Sequence, residues 1–203
     1  MKETLSILSG IIWLAGYVPY IRAILKKEAQ PVKASWIIWT ILSIITLTGM
    51  FLEKAVNGLS VAVTIGDLSV LGLTIKYGIP GWTRLDKFCF AGATLGLALW
   101  FTFENPVLGI VTSQVIVVIG SIPTFASIWK DPSRENKLAW TLFWASCICA
   151  VLGIKRWAFA DASQSVTFLT TETFIMYLLY IRPSFSRASR NSRDLTEEGG
   201  ELR

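Results

Sequence analysis

The sequence predicts an all-α membrane protein: seven transmembrane helices, two parallel three-helix repeats joined by a linker helix. Three observations predict it. Hydrophobic residues make up 53% of the 203 residues and charged residues only 16%, where a soluble domain carries about 25% charged residues. Seven stretches, about 4–25, 34–53, 57–76, 86–103, 107–129, 138–155 and 163–181, are each apolar over roughly the 20 residues that a spanning helix needs. The chain also repeats itself at an offset of 104 residues, which sets Gly16-Tyr17-Val18-Pro19 on Gly120-Ser121-Ile122-Pro123.

Taken in order, helix 1 leads straight into the fold, as expected of a segment that is not a cleaved signal. It ends at Lys26-Lys27-Glu28-Ala29-Gln30-Pro31, where charge and proline break the apolar run. Helix 2 opens at Ser35-Trp36, and Asn57-Gly58 starts helix 3. Gly78-Ile79-Pro80-Gly81 separates helix 3 from helix 4, Asn105-Pro106 separates helix 4 from helix 5, and Lys130-Asp131-Pro132-Ser133 closes helix 5. The tail from Pro183 is rich in Ser, Arg and Glu, a composition expected to be disordered. The expected units are a first repeat over 1–77, a loop and linker helix over 78–104, a second repeat over 105–182 and a cytoplasmic tail over 183–203.

Between Gly16 and Gly49, 8 of 34 positions match their partner 104 residues on: Gly16, Pro19, Ile24, Lys26, Lys33, Trp36, Ile44 and Gly49. Chance supplies roughly two in such a window. Three helices followed directly by three more would invert the second copy. Helix 4 restores the direction, which makes the repeats parallel, about an axis along the membrane normal. Fifteen Lys and Arg fall on one side of the predicted helices, against Lys2, Lys54, Lys155 and Arg156 on the other. The positive-inside bias places the first side in the cytoplasm, with the N-terminus outside.

Net charge is +5, but the basic residues sit between apolar runs and form no stripe for nucleic acid. The absence of histidine removes most zinc sites and histidine-assisted nucleophiles. Cys89, Cys147 and Cys149 lie in apolar runs and read as small buried hydrophobes. No catalytic, cofactor or metal site is expected. Of the 14 acids, twelve fall in loops, interfaces or the tail; only Asp67 and Glu172 are mid-helix, in helices 3 and 7. One extra residue before helix 7 superposes them. A carboxylate at a helix centre costs about 2.5–3.5 kcal/mol or more, so two at matching depth suggest binding of a cation, a proton or a polar solute. The alternative is that both are protonated and bond neighbouring Ser, Thr or backbone groups.

Pro19 and Pro123 interrupt helices 1 and 5 and are candidate hinges. Trp36, Trp82, Trp129 and Trp140 read as an inner aromatic belt, and Trp100 and Trp157 as an outer one. Trp13, Trp39 and Trp144 lie deeper, where a ring can stack on a planar or sugar-like solute. Gln114 in helix 5 is a further pocket candidate, as are the repeat equivalents Ser43 and Cys147.

The Gly-x-x-Pro-x-x-x-x-Ile-x-Lys pattern running from Gly16 to Lys26, and again from Gly120 to Lys130, resembles the SWEET and PQ-loop superfamily. So do the three-plus-one-plus-three order and Ser35 at the start of helix 2, over roughly residues 4–182. The departures are Tyr20 and Thr124 in place of the glutamine after proline, and the lack of proline in helices 2 and 6. The tryptophan content is similar to that of PnuC-type vitamin transporters, which share this architecture. Ser35-Trp36-Ile37-Ile38-Trp39 is similar to an element of uncharacterised bacterial membrane proteins of this size. The resemblance implies a pocket between the repeats, faced by helices 3 and 7, in a bacterial cytoplasmic membrane. The expected function is transport of a small polar solute by alternating access between two bundles, with proton coupling left open. The alternative is a receptor or sensor of the same fold. An enzyme is not expected: Ile65-Gly66-Asp67 lacks the Tyr-Asp partner of an intramembrane aspartyl protease, and 163–181 lacks the lysine of a rhodopsin. The expected partners are the lipid bilayer and a small-molecule solute; homo-oligomerisation stays open.

Overall fold

The structure, a computed structural model, describes residues 1–79, 82–103 and 106–183. The described residues contain seven α-helices and no strand: α1 (Lys2–Leu25), α2 (Lys33–Leu52), α3 (Gly58–Tyr77), α4 (Arg84–Phe103), α5 (Pro106–Lys130), α6 (Lys137–Leu152) and α7 (Phe159–Met176). A 3-10 turn (Pro132–Arg134) precedes α6, and a π-helical turn (Tyr177–Ile181) prolongs α7. The tail from 184 on, and the turns at Pro80-Gly81 and Glu104-Asn105, lie outside the described residues.

Among the described residues, four helices are long and apolar enough to cross a membrane: α1, α2, α3 and the Ile110–Lys130 part of α5, with mean hydropathies of 1.5 to 1.8. Helix α6 is apolar but has 16 residues, roughly 24 Å at 1.5 Å per residue. Helix α7 carries Asp161, Ser163, Gln164, Ser165, Thr167, Thr170, Thr171, Glu172 and Thr173 among its apolar residues. The outer surface is apolar, with Ile7, Ile11, Val18, Ile65, Leu68 and Ile75 exposed, as a lipid-facing surface requires.

Five helices begin and end within two residues of the sequence reading; the α6–α7 connection does not. Helix α6 stops at Leu152 rather than 155, because Gly153 caps it with its N–H on the Cys149 and Ala150 carbonyls. Helix α7 starts at Phe159 rather than 163. Asp161 lies in its first turn, 3.2 Å from Arg156, where a negative charge suits the helix N-terminus. At α3 and α6 side chains set the starts. Asn57 accepts from the Ser60 N–H at 2.9 Å, and its own N–H donates to Ser60 Oγ at 3.3 Å, a capping box for α3. Asn136 accepts from the Ala139 N–H at 2.9 Å and starts α6.

The packing is regular. Helix α3 packs against both α1 and α2, and α7 against both α5 and α6. Helix α1 lies along α6, α2 lies along α5, and α4 rests against α5 with a smaller contact to α2. Both crossings need a glycine. A Cβ on Gly16 would lie 2.6 Å from the Phe143 ring of α6, and one on Gly120 would lie 2.7 Å from Ile38 of α2. Serine hydroxyls tie the same helix pairs: Ser35 Oγ donates to the Gly120 carbonyl and Ser146 Oγ to the Ser9 carbonyl, each at 2.6 Å. Pro19 and Pro123 both lie within uninterrupted helices.

Candidate functional site

Where α1, α2, α3, α5, α6 and α7 converge, they line a cavity of about 40 Å³. Asp67 of α3 and Glu172 of α7 both line it. The two acids are held differently. The Tyr17 hydroxyl donates to Asp67 Oδ1 at 2.8 Å and in turn accepts from Trp13 Nε1 at 3.1 Å. Trp13 and Tyr17 are one helical turn apart and so share a face of α1. Gly66 makes this reach available, since a Cβ there would overlap the Tyr17 ring. Glu172, 6% exposed, has no such holder: its Oε2 is buried with no hydrogen-bond partner. No Lys or Arg is among the lining residues described. The ion pairs among the described residues, Arg134–Asp131, Lys155–Glu3 and Arg156–Asp161, all lie at loops and helix ends.

Aromatic rings form most of the wall. Trp13 lies 4.6 Å from Phe143 and 5.6 Å from Phe168, centroid to centroid. On the side of the basic loops, Trp36 and Trp140 line the cavity. Tyr20 stacks on Trp36 at 5.3 Å and meets Trp140 edge-on at 6.2 Å. Behind Trp140 sits another buried acid, Glu135, just before α6; Asp86, in the first turn of α4 and away from the cavity, is buried as well. Glu135 Oε2 accepts from Trp140 Nε1 at 2.9 Å, and the Tyr20 hydroxyl faces the same carboxyl outside hydrogen-bond geometry. Burial pushes the Glu135 carboxyl up to about 7, against the opposing pull of Trp140 and Tyr20.

Of the residues singled out in the sequence, the cavity brings together Asp67, Glu172, Trp13 and Trp39. The others do not line it. Gln114 lines a separate groove between α5 and α7, its Nε2 3.3 Å from Thr46 Oγ1. Trp144 points away from the cavity and donates to Thr173 Oγ1 at 2.9 Å. Its neighbour Phe143 takes the wall position instead, one residue being about 100° around a helix. Ser43 and Cys147 lie just behind the two acids: the Ser43 hydroxyl, which donates to the Thr40 carbonyl at 3.0 Å, sits against the Asp67 carboxyl, and Cys147, fully buried in the core, lies near Glu172.

Three corrections concern residues read otherwise. Trp36 and Trp140 are not belt residues: both are buried and line the cavity. Trp82, Trp129 and Trp157 are exposed, as belt residues are, while the Trp100 side chain lies outside the described set. Glu135, read as a loop acid, is 5% exposed. Tyr17, absent from the candidates, is the partner of Asp67. Its signal was its spacing of four from Trp13, with Gly16 beside it. No known protein family, curated protein or solved structure matches this chain.

Proposed function

We propose that the chain is a membrane transporter that moves a small polar solute by alternating access between two three-helix bundles, residues 1–77 and 105–182. The observation that carries this reading is the pairing of the cavity wall. Trp13 and Val117, Tyr17 and Ser121, Trp36 and Trp140, and Trp39 and Phe143 are lining residues 104 positions apart. Val63 and Phe168, and Asp67 and Glu172, are lining residues 105 apart, the one extra residue falling before α7. Each bundle thus contributes matching positions, one acid among them, to one shared cavity, as expected of a site on an axis between two repeats.

The packing supports the same reading. Replacing α1, α2 and α3 by α5, α6 and α7 turns every contact within the first bundle into one within the second, and the α1–α6 contact into α5–α2. A cavity of about 40 Å³ holds a few waters at most, since one water needs roughly 10–15 Å³ measured this way. The conformation is therefore read as occluded, and a solute enters when the bundles rock apart. Pro19 and Pro123, at matched depth in α1 and α5, are the proposed hinges. The arrangement agrees with kinship to the SWEET and PQ-loop superfamily and with a bacterial cytoplasmic membrane, N-terminus outside. The test is uptake by the purified chain in proteoliposomes across a panel of amines, sugars, amino acids and vitamins. Saturable uptake of one class supports transport. Binding without uptake by any class refutes it.

A further inference from the structure

The lining chemistry goes further than a polar solute and, resting on the transport reading, narrows the substrate class. We infer that the cavity selects an organic cation, a substituted ammonium group caged by aromatic rings between Asp67 and Glu172.

Four features of the wall favour this class. Two carboxyls face one small space, and no Lys or Arg among the described lining residues faces them. A bound cation offsets their negative charge, whereas an anion adds to it. Glu172 presents a buried oxygen that nothing in the protein bonds, and leaving such an acceptor unmade is costly. Trp13, Trp36, Trp39 and Trp140 line the same space, and the faces of indole rings attract ammonium groups. Finally, several of the wall's hydrogen-bond donors, which a neutral polyol would need, are already engaged. Ser121 Oγ already donates to the Val117 carbonyl at 2.8 Å, and Thr171 Oγ1 to the Phe168 carbonyl at 3.0 Å. The indole N–H groups of Trp13 and Trp140 are taken by Tyr17 and Glu135.

The roles of the two acids differ. Asp67 is positioned by Tyr17 and fixes one side of the cage, while Glu172 is free to meet the ammonium group directly.

The test uses the full chain in nanodiscs and reads the intrinsic tryptophan fluorescence. The probes are choline, methylammonium and 3,3-dimethyl-1-butanol, the uncharged isostere of choline. Choline and methylammonium are expected to give saturable changes, and the isostere none at tenfold higher concentration. Glu172→Gln is expected to weaken choline binding at least tenfold, while Glu172→Asp keeps the preference for charge. Equal binding of choline and the isostere by the unaltered protein overturns the inference, whether or not any variant folds. So does unchanged choline affinity in a folded Glu172→Gln protein. The transport reading falls separately. Choline that binds in a Glu172-dependent way but never enters proteoliposomes refutes transport and leaves the cation site standing. Saturable uptake of a neutral solute with no choline binding does the reverse.

Discussion

Glu135→Gln isolates a cost that the structure writes into the start of α6. Gln keeps the acceptor for Trp140 Nε1, bonded at 2.9 Å in the parent, and adds an amide N–H on the side where the Tyr20 hydroxyl has no partner. What it removes is a buried charge. The carboxyl titrates near 4.5 when unfolded and at about 7 in the fold, with burial the largest cause. A raised carboxyl value means that the folded state holds its proton more tightly. Stability attached to Glu135 is therefore fully present below about pH 4.5 and is lost as pH rises to about 7. The loss is roughly 3 kcal/mol, taking 1.36 kcal/mol per pH unit. The variant escapes it. Thermal unfolding of both proteins in the same detergent, from pH 5 to pH 8, is the assay. Glu135→Gln is expected to gain roughly 6–12 °C over the parent at pH 8, on a scale of 2–4 °C per kcal/mol for chains of this size. The gain should shrink to a few degrees at pH 5. A difference that does not change with pH, or a variant less stable than the parent at pH 8, would show that Glu135 is not buried as an uncompensated acid.

Gly66→Ala should push the Tyr17 ring off Asp67, destabilising the protein by about 1–3 kcal/mol; an unchanged unfolding temperature contradicts the contact between Gly66 and Tyr17. Pro19→Ala and Pro123→Ala should leave the protein folded but slow its transport, and parental uptake rates in both would remove the hinge role. Cysteines introduced at Lys2 and Arg190 should be labelled from opposite sides of intact cells. Labelling of both from outside would sink the seven-span topology.

The helices were legible because apolar runs of membrane length are the strongest periodic signal a sequence carries. Asp67 and Glu172 were legible for the same reason, since a charge within such a run stands out. Burial within a loop has no comparable periodicity. Glu135 sits in polar sequence between Arg134 and Asn136 and gives no hint that it folds back behind Trp140. Trp36 and Trp140 were readable in two ways, because a tryptophan near the end of an apolar run suits an aromatic belt as well as it suits the wall of a cavity. Their identity at the 104-residue offset was the better guide. The offset also maps Trp39 to Phe143 and not to Trp144, and ignoring that register moved a wall position by a quarter of a turn. Gly153 as the end of α6 was visible in the sequence too, but the apolar Ile154 after it extended the run past its cap.

The central claim is that the paired acids serve a solute rather than the fold. Uptake by Asp67→Asn and Glu172→Gln in proteoliposomes, measured beside their unfolding temperatures, tests it most directly. Both variants keep shape and most hydrogen bonding while losing a buried charge, so stability should hold or rise. Uptake should fall sharply in each, and exchange that survives while uphill uptake is lost would assign the charge to proton coupling. Stability and uptake that fall together would make the acids structural, and variants that keep both would show that neither carboxylate takes part in transport.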